Sequence, residues 1–325
     1  MSMAYLDRVA LASRADYAAL VSALERALVS QVDPETDGPR IFSPVPGGEF
    51  LIMPSSGTRY SGAKLVTIAP GNPSNGLPKI QGTYVLFDSE TLAPVAVMDG
   101  AELTLLRTPA TTALAVKNIL APDPAGHLTS KDLPDIPVLL VFGTGPQASR
   151  HIDAIHAITN VGEVVIVGRN AERARALALD WSARGLKTRV GNETDVFLAD
   201  VILCVTSSRT PLFDGDLVRS KTVIAAVGSH GLDAREIDPA LARRADIVVE
   251  GRASAMREAG NLIPARSREE WEEEKLTNLA ELVRGEFMRR PGAPALFTGV
   301  GMAWEDLVVA AHIHEQHLSG KVQSS

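Results

Sequence analysis

Residues Pro137 to Ala148 read as a buried strand that runs straight into a glycine turn and then a helix. Five apolar residues, Val138 to Phe142, precede Gly143-Thr-Gly-Pro-Gln-Ala148, and Gln147 to Ile158 carries a helical apolar period. The spacing is G-x-G-x-x-A. Gly143 permits the tight turn, Gly145 lets backbone approach a pyrophosphate, and Ala148 lets helix pack closely on strand. The helix N-terminus adds free N–H groups and a positive dipole end. A second apolar strand, Glu163 to Gly168, follows at the spacing of a βαβ unit. The segment therefore predicts a dinucleotide site, with Gly143, Thr144, Gly145, Pro146, Gln147 and Ala148 as contacts.

The end of the second strand indicates which dinucleotide. An NAD site usually places a carboxylate there for the ribose 2′-hydroxyl. Here the chain reads Gly168-Arg169-Asn170, with Arg173 one turn on. A guanidinium suits a 2′-phosphate and stacks on a flat ring. Arg169, Asn170 and Arg173 thus point to NADPH, with NADH as the alternative.

Composition sets the outer bounds. The chain has 325 residues, 45% apolar and 22% charged, and a formal net charge of −7. That describes a globular enzyme of two domains and argues against nucleic acid or an anionic membrane as partner. No run of 18 apolar residues occurs, and the N-terminus lacks a signal-peptide pattern. Cys204, the single cysteine, lies in an apolar run and reads as a buried core residue in a reducing, cytoplasmic setting. No metal site is expected: His312, His314 and His317 on the last helix are not spaced to share a face, and read as exposed or interfacial.

Periodicity divides the chain. Residues 1–35 read as mainly helical. From about residue 40 to 100, short β-like pieces alternate with Gly/Pro/Asn/Ser turns, which predicts an antiparallel sheet. Residues 101–120 are helical. After a breaker at Asp123-Pro-Ala-Gly126, strand and helix alternate, with strands expected at Lys187 to Val190, Asp200 to Thr206, Thr222 to Val227 and Asp246 to Glu250. The fold class is α/β: a Rossmann-type doubly wound parallel sheet plus an α+β domain. The dense charge from Arg266 to Lys275 reads as a solvated helix face, and a final helix runs from about Ala303 to Glu315.

Three basic residues of the first domain interrupt apolar or turn contexts: Arg40, Lys64 and Arg107. A cation in such a place needs an anion, either a structural partner or a bound carboxylate. Glu305 and Asp306 open the last helix, where carboxylates favour the dipole, and a structural role is the default for them.

An ordered set of motifs now resembles a known family. Lys64, Asn72-Pro-Ser-Asn-Gly-Leu-Pro78, Gly82, Asp88, Thr91, Pro94, Asp99-Gly100 and Leu103-Thr-Leu-Leu-Arg-Thr108 follow the pattern of the ornithine cyclodeaminase/mu-crystallin family. So do Gly143 to Ala148, Pro211 to Gly215, Ala226 to Asp238 and Arg257 to Leu262. The resemblance covers nearly the whole chain. It implies an α+β domain, residues 1–118 plus 303–325, that binds substrate and forms a homodimer through its sheet, and a Rossmann domain, residues 119–302. It implies that Arg40, Lys64 and Arg107 hold a substrate carboxylate. It also implies that Thr108, Thr206, Val227, Gly228, Ser229 and Val300 line the cofactor.

The family holds several chemistries, so the resemblance leaves the reaction open. Cyclodeaminases carry an Asp for the distal amine of their substrate where this chain has His230, in Gly228-Ser-His. A histidine cannot anchor an ammonium by charge. With Arg169, this favours NADPH-dependent reduction of a cyclic ketimine carboxylate: 1-pyrroline-2-carboxylate to L-proline, and by extension 1-piperideine-2-carboxylate to L-pipecolate. Lys64 and His230 are the two candidate proton donors. The competing readings are an ornithine cyclodeaminase, an alanine dehydrogenase-like enzyme acting on an amino-acid carboxylate, and a non-catalytic NADPH binder.

Overall fold

The computed structural model describes residues 3–121, 133–228 and 231–322, and the chain divides into two compact units. The first comprises Met1–Thr108 with Met302–Ser325, the second Pro109–Gly301. The dividing point, Thr108/Pro109, falls inside a helix.

The first unit carries a six-stranded sheet. Its strands are β1 (Ala4–Leu6), β2 (Ile41–Val45), β3 (Gly48–Ser56), β4 (Tyr60–Ile68), β5 (Ile80–Asp88) and β6 (Pro94–Asp99), in the order β1-β6-β5-β4-β3-β2. The β2-to-β6 run is antiparallel, as the alternating pattern predicts, and β1 joins it parallel to β6. The first 35 residues are mainly helical, as their period suggests, with the short strand β1 ahead of the helices. Helices α1 (Arg8–Ala12) and α2 (Tyr17–Ser30), N-capped by Asp7 and Asp16, follow a strand. Three residues are too few to show a period, and β1 exists because β6 supplies its ladder.

Helix α3 (Gly100–Leu120) contains Pro109. Proline has no N–H for the carbonyl four residues back. That carbonyl, Leu105 O, accepts instead from the Tyr17 hydroxyl at 3.1 Å.

The second unit is built on eight parallel strands: β7 (Ile136–Phe142), β8 (Val161–Val167), β9 (Thr188–Val190), β10 (Val201–Cys204), β11 (Val223–Ala226), β12 (Asp246–Val249), β13 (Thr277–Asn278) and β14 (Ala295–Thr298). The order is β13-β12-β14-β11-β10-β7-β8-β9. Chain direction across the sheet reverses at β7, with β8 on one side and β10 on the other, which makes the β7/β10 edge the topological switch point. Its helices are α4 (Pro146–His156), α5 (Ala171–Ala183), α6 (Pro239–Arg244), α7 (Arg252–Glu258), α8 (Arg268–Glu273) and α9 (Leu279–Val283). Strands β10, β11, β12 and β14 are buried at every position, as parallel strands covered on both faces must be. Cys204 is one of these core residues. The charged α8 is solvated except at Trp271, which is buried with the Arg266 guanidinium over its ring.

The chain closes with α10 (Ala303–Val322), which packs on α2 and on β3, β4 and β5. No helix among the described residues is long and apolar enough to cross a membrane.

Candidate functional site

In the second unit, strand register decides which residues share an edge. Val167, Phe142, Cys204, Ala226, Thr298 and Val249 pair in one continuous row across β8, β7, β10, β11, β14 and β12. Each closes its strand. The sequence-predicted cofactor residues follow within three residues of that row: Gly143 after β7, Arg169 after β8, Thr206 after β10, Val227 and Gly228 after β11, Val300 after β14. Residues scattered over 158 positions thus sit along one carboxyl edge, which is where open α/β sheets bind ligands.

The glycine turn has the geometry its spacing implies. Gly143 has φ +135°, and a Cβ there would lie 2.9 Å from Val205. Gly145 is the N-cap of α4, Pro146 occupies the first helical turn, and no side chain caps the helix. A Cβ on Gly145 would meet nothing within 4 Å, so the exposed N-terminus keeps open space in front of its N–H groups. Ala148 is fully buried. Thr144 and Gln147 are half-buried, and Arg169 and Arg173 are exposed. Asn170 caps α5, its side chain accepting from Arg173 N at 2.9 Å. That bond already commits Asn170 Oδ1. Thr108 is half-buried on α3 and belongs to the first unit. Ser229 and His230 lie outside the described residues.

Two buried glutamates, which sequence reasoning missed, brace this edge. Glu250 accepts from the N–H groups of Val300 (2.9 Å) and Gly301 (2.7 Å). Glu236 is fully buried and accepts from Thr206 N (2.6 Å), Thr206 Oγ1 (2.7 Å) and Gly228 N (2.9 Å). Burial pushes the Glu236 carboxyl up from 4.5 to about 7, and the hydrogen bonds from Thr206 and Gly228 oppose that rise.

The first unit holds a second cluster. Lys64 is 3% exposed because β4 alternates, and its register partners Met53, Tyr84 and Met98 share the buried face. Its Nζ lies 2.7 Å from Asp306 Oδ2 and donates to Thr104 Oγ1 at 3.4 Å. Arg107, on α3, donates from Nη1 to Glu305 Oε2 at 2.8 Å, and its Nε lies 3.5 Å from Asp306 Oδ1. Glu305 and Asp306 are both fully buried in the first turn of α10. Asp37 accepts from Ala303 N at 2.8 Å and so fixes the start of that turn. Arg40 is half-buried just before β2 and adds positive potential at Lys64.

The structural role expected of Glu305 and Asp306 at the start of the last helix takes a specific form: they are the buried counter-ions of Lys64 and Arg107. The signal was present. Two adjacent carboxylates inside the apolar run from Met302 to Ala311 need cations for the same reason that Lys64 and Arg107 need anions. Burial pulls the Lys64 ammonium from its ordinary 10.5 down to about 8; Asp306 opposes this, while Arg107 and Arg40 add to it. An ammonium has three donors, and Asp306 and Thr104 occupy two of those on Lys64.

The histidines of α10 also differ from expectation. His314 is buried edge-on to Tyr60 at 5.7 Å, and His312 is half-buried against Gln316 at 3.0 Å. His151 is a packing residue, bonded to Thr112 Oγ1 and Gln147 O. Among the described residues no group of His, Cys, Asp and Glu is placed to hold a metal.

Fold and site define the class: a Rossmann-type parallel sheet with a dinucleotide-type glycine turn, joined in one chain to an α+β unit with a buried cation–carboxylate cluster. The profile of the ornithine cyclodeaminase/mu-crystallin family matches residues 2–321, and the chain belongs to that family. Delta(1)-pyrroline-2-carboxylate reductase 2 of Burkholderia ambifaria is 32% identical over 93% of this chain and 92% of its own. The ketimine reductase mu-crystallin of Rattus norvegicus is 32% identical over 79% and 76%. Among solved structures, the Thermococcus litoralis Delta(1)-pyrroline-2-carboxylate reductase in complex with NADH and L-proline superposes with a TM-score of 0.84 at 26% identity, over 98% of both chains. An archaeal alanine dehydrogenase dimer with bound NAD gives the same score and identity, over 99% and 98%.

Proposed function

We propose that this chain is an NADPH-dependent reductase of cyclic ketimine carboxylates, converting 1-pyrroline-2-carboxylate to L-proline and accepting the six-membered homologue. The observation that carries it is the pair of buried cations, Lys64 and Arg107, each anchored by an internal carboxylate. Such a cluster costs solvation, and a small carboxylate ligand gives it a reason to exist. Relatives named pyrroline-2-carboxylate reductase support the imine as the acceptor.

Arg40, Lys64 and Arg107 bind the substrate carboxylate. Lys64 also places positive charge near the C=N carbon, and Lys64 or His230 delivers a proton to the imine nitrogen. A Lys64 poised at about 8 can give up that proton near neutral pH. Gly143 to Ala148, Thr108, Thr206, Val227 to Ser229 and Val300 would hold the dinucleotide, and Arg169 and Arg173 its 2′-phosphate. When bound, the reduced nicotinamide supplies the hydride. The single buried thiol, Cys204, fits a reducing cytoplasm.

The homodimer of this reading uses the sheet of the first unit. The face opposite α10 presents Phe50, Ile52, Leu65, Val85 and Phe87, of which Leu65 is 40% exposed. Size-exclusion with light scattering tests it.

A second reading is an alanine dehydrogenase-like enzyme, favoured by the equal TM-score of the archaeal structure. The deciding experiment follows absorbance at 340 nm with NADPH and NADH. The acceptors are 1-pyrroline-2-carboxylate or pyruvate plus ammonia, and ammonia release from L-ornithine with NAD is measured beside them. Imine-dependent oxidation of NADPH alone is expected. Turnover of pyruvate would shift the assignment to an amino-acid dehydrogenase, and ammonia from ornithine would make the chain a lyase.

A further inference from the structure

We infer that Glu236 is a positioning residue that sets the cofactor-facing turns after β10 and β11, through hydrogen bonds to Thr206 and Gly228. The inference rests on the proposed dinucleotide reading.

The argument starts from the ladder. Val205 N donates to Phe142 O and Val227 N to Cys204 O, each at 3.0 Å, and these are the last regular bonds on this side of β10 and β11. The next N–H groups placed to bond, those of Thr206 and Gly228, stand two residues past a register pair, Cys204 and Ala226. One carboxylate takes both, one oxygen to each, and Oε1 also accepts the Thr206 hydroxyl. The approach is so close that Gly228 can carry no side chain: a Cβ there would lie 2.2 Å from Thr206 N and 2.7 Å from Glu236 Oε1.

Glu236 is itself held. Its N–H donates to Asn261 Oδ1 at 2.7 Å, Asn261 Nδ2 reaches Thr298 Oγ1 at 3.3 Å, and Thr298 Oγ1 donates to Ala226 O at 3.0 Å. The network joins the ends of β10, β11 and β14. No cation pairs with Glu236 among the described residues, and the ionisable group that feels its charge is the Cys204 thiol, which it helps push up. A carboxylate buried without a counter-ion is costly for stability. Its return is geometric: two turns that each carry a proposed cofactor contact are locked to one rigid group. Glu236 itself does not need to touch the cofactor.

Glutamine tests this. An amide offers one oxygen and one NH₂, so Glu236→Gln must turn its NH₂ toward either Thr206 N–H or Gly228 N–H and strand that donor. Three quantities are compared between wild type and Glu236→Gln in the full chain. They are thermal midpoint, amide hydrogen exchange by mass spectrometry without ligand, and NADPH affinity by fluorescence titration. Expected are a midpoint within a few degrees of wild type, exchange at residues 205–208 and 227–228 raised about tenfold, and an NADPH dissociation constant raised about tenfold. At saturating NADPH the KM for the imine should hold within about twofold. Glu236→Asp, which keeps the charge but cannot span both turns, should fall between the two and serves if the glutamine variant does not fold. Unchanged exchange, or faster exchange with unchanged NADPH affinity, overturns the inference. Wild-type protein that binds neither NADPH nor NADH overturns the dinucleotide reading instead, and the exchange comparison then judges the clamp alone.

Discussion

Replacing Asp306 with asparagine should move the titration of Lys64 and, with it, the pH range over which carboxylates bind. The amide keeps the shape, removes the charge and leaves one acceptor oxygen, which stays on Lys64 at 2.7 Å, while its NH₂ takes the place of the oxygen 3.5 Å from Arg107 Nε. At 2.7 Å and an effective dielectric of about 20, the full Coulombic attraction is about 6 kcal/mol, a ceiling. If half survives relaxation, the loss is ~3 kcal/mol, or roughly two pH units. Lys64 would then fall from about 8 to roughly 6, the range of buried lysines without a counter-ion. At pH 7.5 the wild-type lysine is roughly three-quarters protonated, and the variant's is almost wholly neutral. The assay is competitive inhibition by 2-furoate, a flat ring carboxylate whose ring does not titrate, from pH 5.5 to 9. Wild-type affinity should hold up to about pH 8 and then decline; in Asp306→Asn the decline should begin near pH 6. Stability carries the matching sign. Because the folded pKa of Lys64 is depressed from 10.5 to about 8, its contribution is fully present above 10.5. It is lost as pH falls through 8, about 3 kcal/mol in all. The variant should therefore be close to wild type at pH 9 and clearly less stable at pH 5.5. A midpoint for inhibitor binding that stays near 8 in the variant would refute this account of the pair.

Further outcomes follow from the same geometry. Arg107→Met leaves Glu305 buried without its guanidinium; urea denaturation should show a loss of about 3 kcal/mol at pH 7.5, with carboxylate turnover nearly abolished. Arg169→Ala should raise the KM for NADPH more than that for NADH, since an exposed guanidinium after β8 is the proposed partner of the 2′-phosphate; equal changes would remove it from that role. Gly143→Ala and Gly145→Val separate folding from binding. The first meets Val205 at 2.9 Å in a left-handed backbone and should cost ~2 kcal/mol of stability. At Gly145 an added Cβ has nothing within 4 Å, so calorimetry should find the second variant folded and fluorescence titration should find dinucleotide affinity lost.

Local chemistry was legible from the chain alone. The strand–turn–helix at Val138 to Ala148 announces itself because every part of its geometry, a left-handed glycine, an open helix N-terminus and a small packing residue, lies within a dozen residues. The antiparallel run of β3 to β6 was readable for a similar reason, since alternation is a property of neighbours. The motif resemblance supplied the proposed cofactor contacts that periodicity could not assign. Lys64 and Arg107 were visible as cations out of place, but not their answers: Glu305 stands 198 residues from Arg107, and the first turn of α10 meets Arg107 of α3 and Lys64 of β4 only in the folded chain. Strand β1 exists because β6 offers a parallel edge, and Glu236 can bond both Thr206 and Gly228 because each stands two residues past the paired ends of β10 and β11. Sequence determines what a stretch of backbone can do and which side chains cannot be left alone. Which buried charge meets which is decided by tertiary packing, because a desolvated ion is stabilised by its neighbours in space and not by its neighbours in the chain.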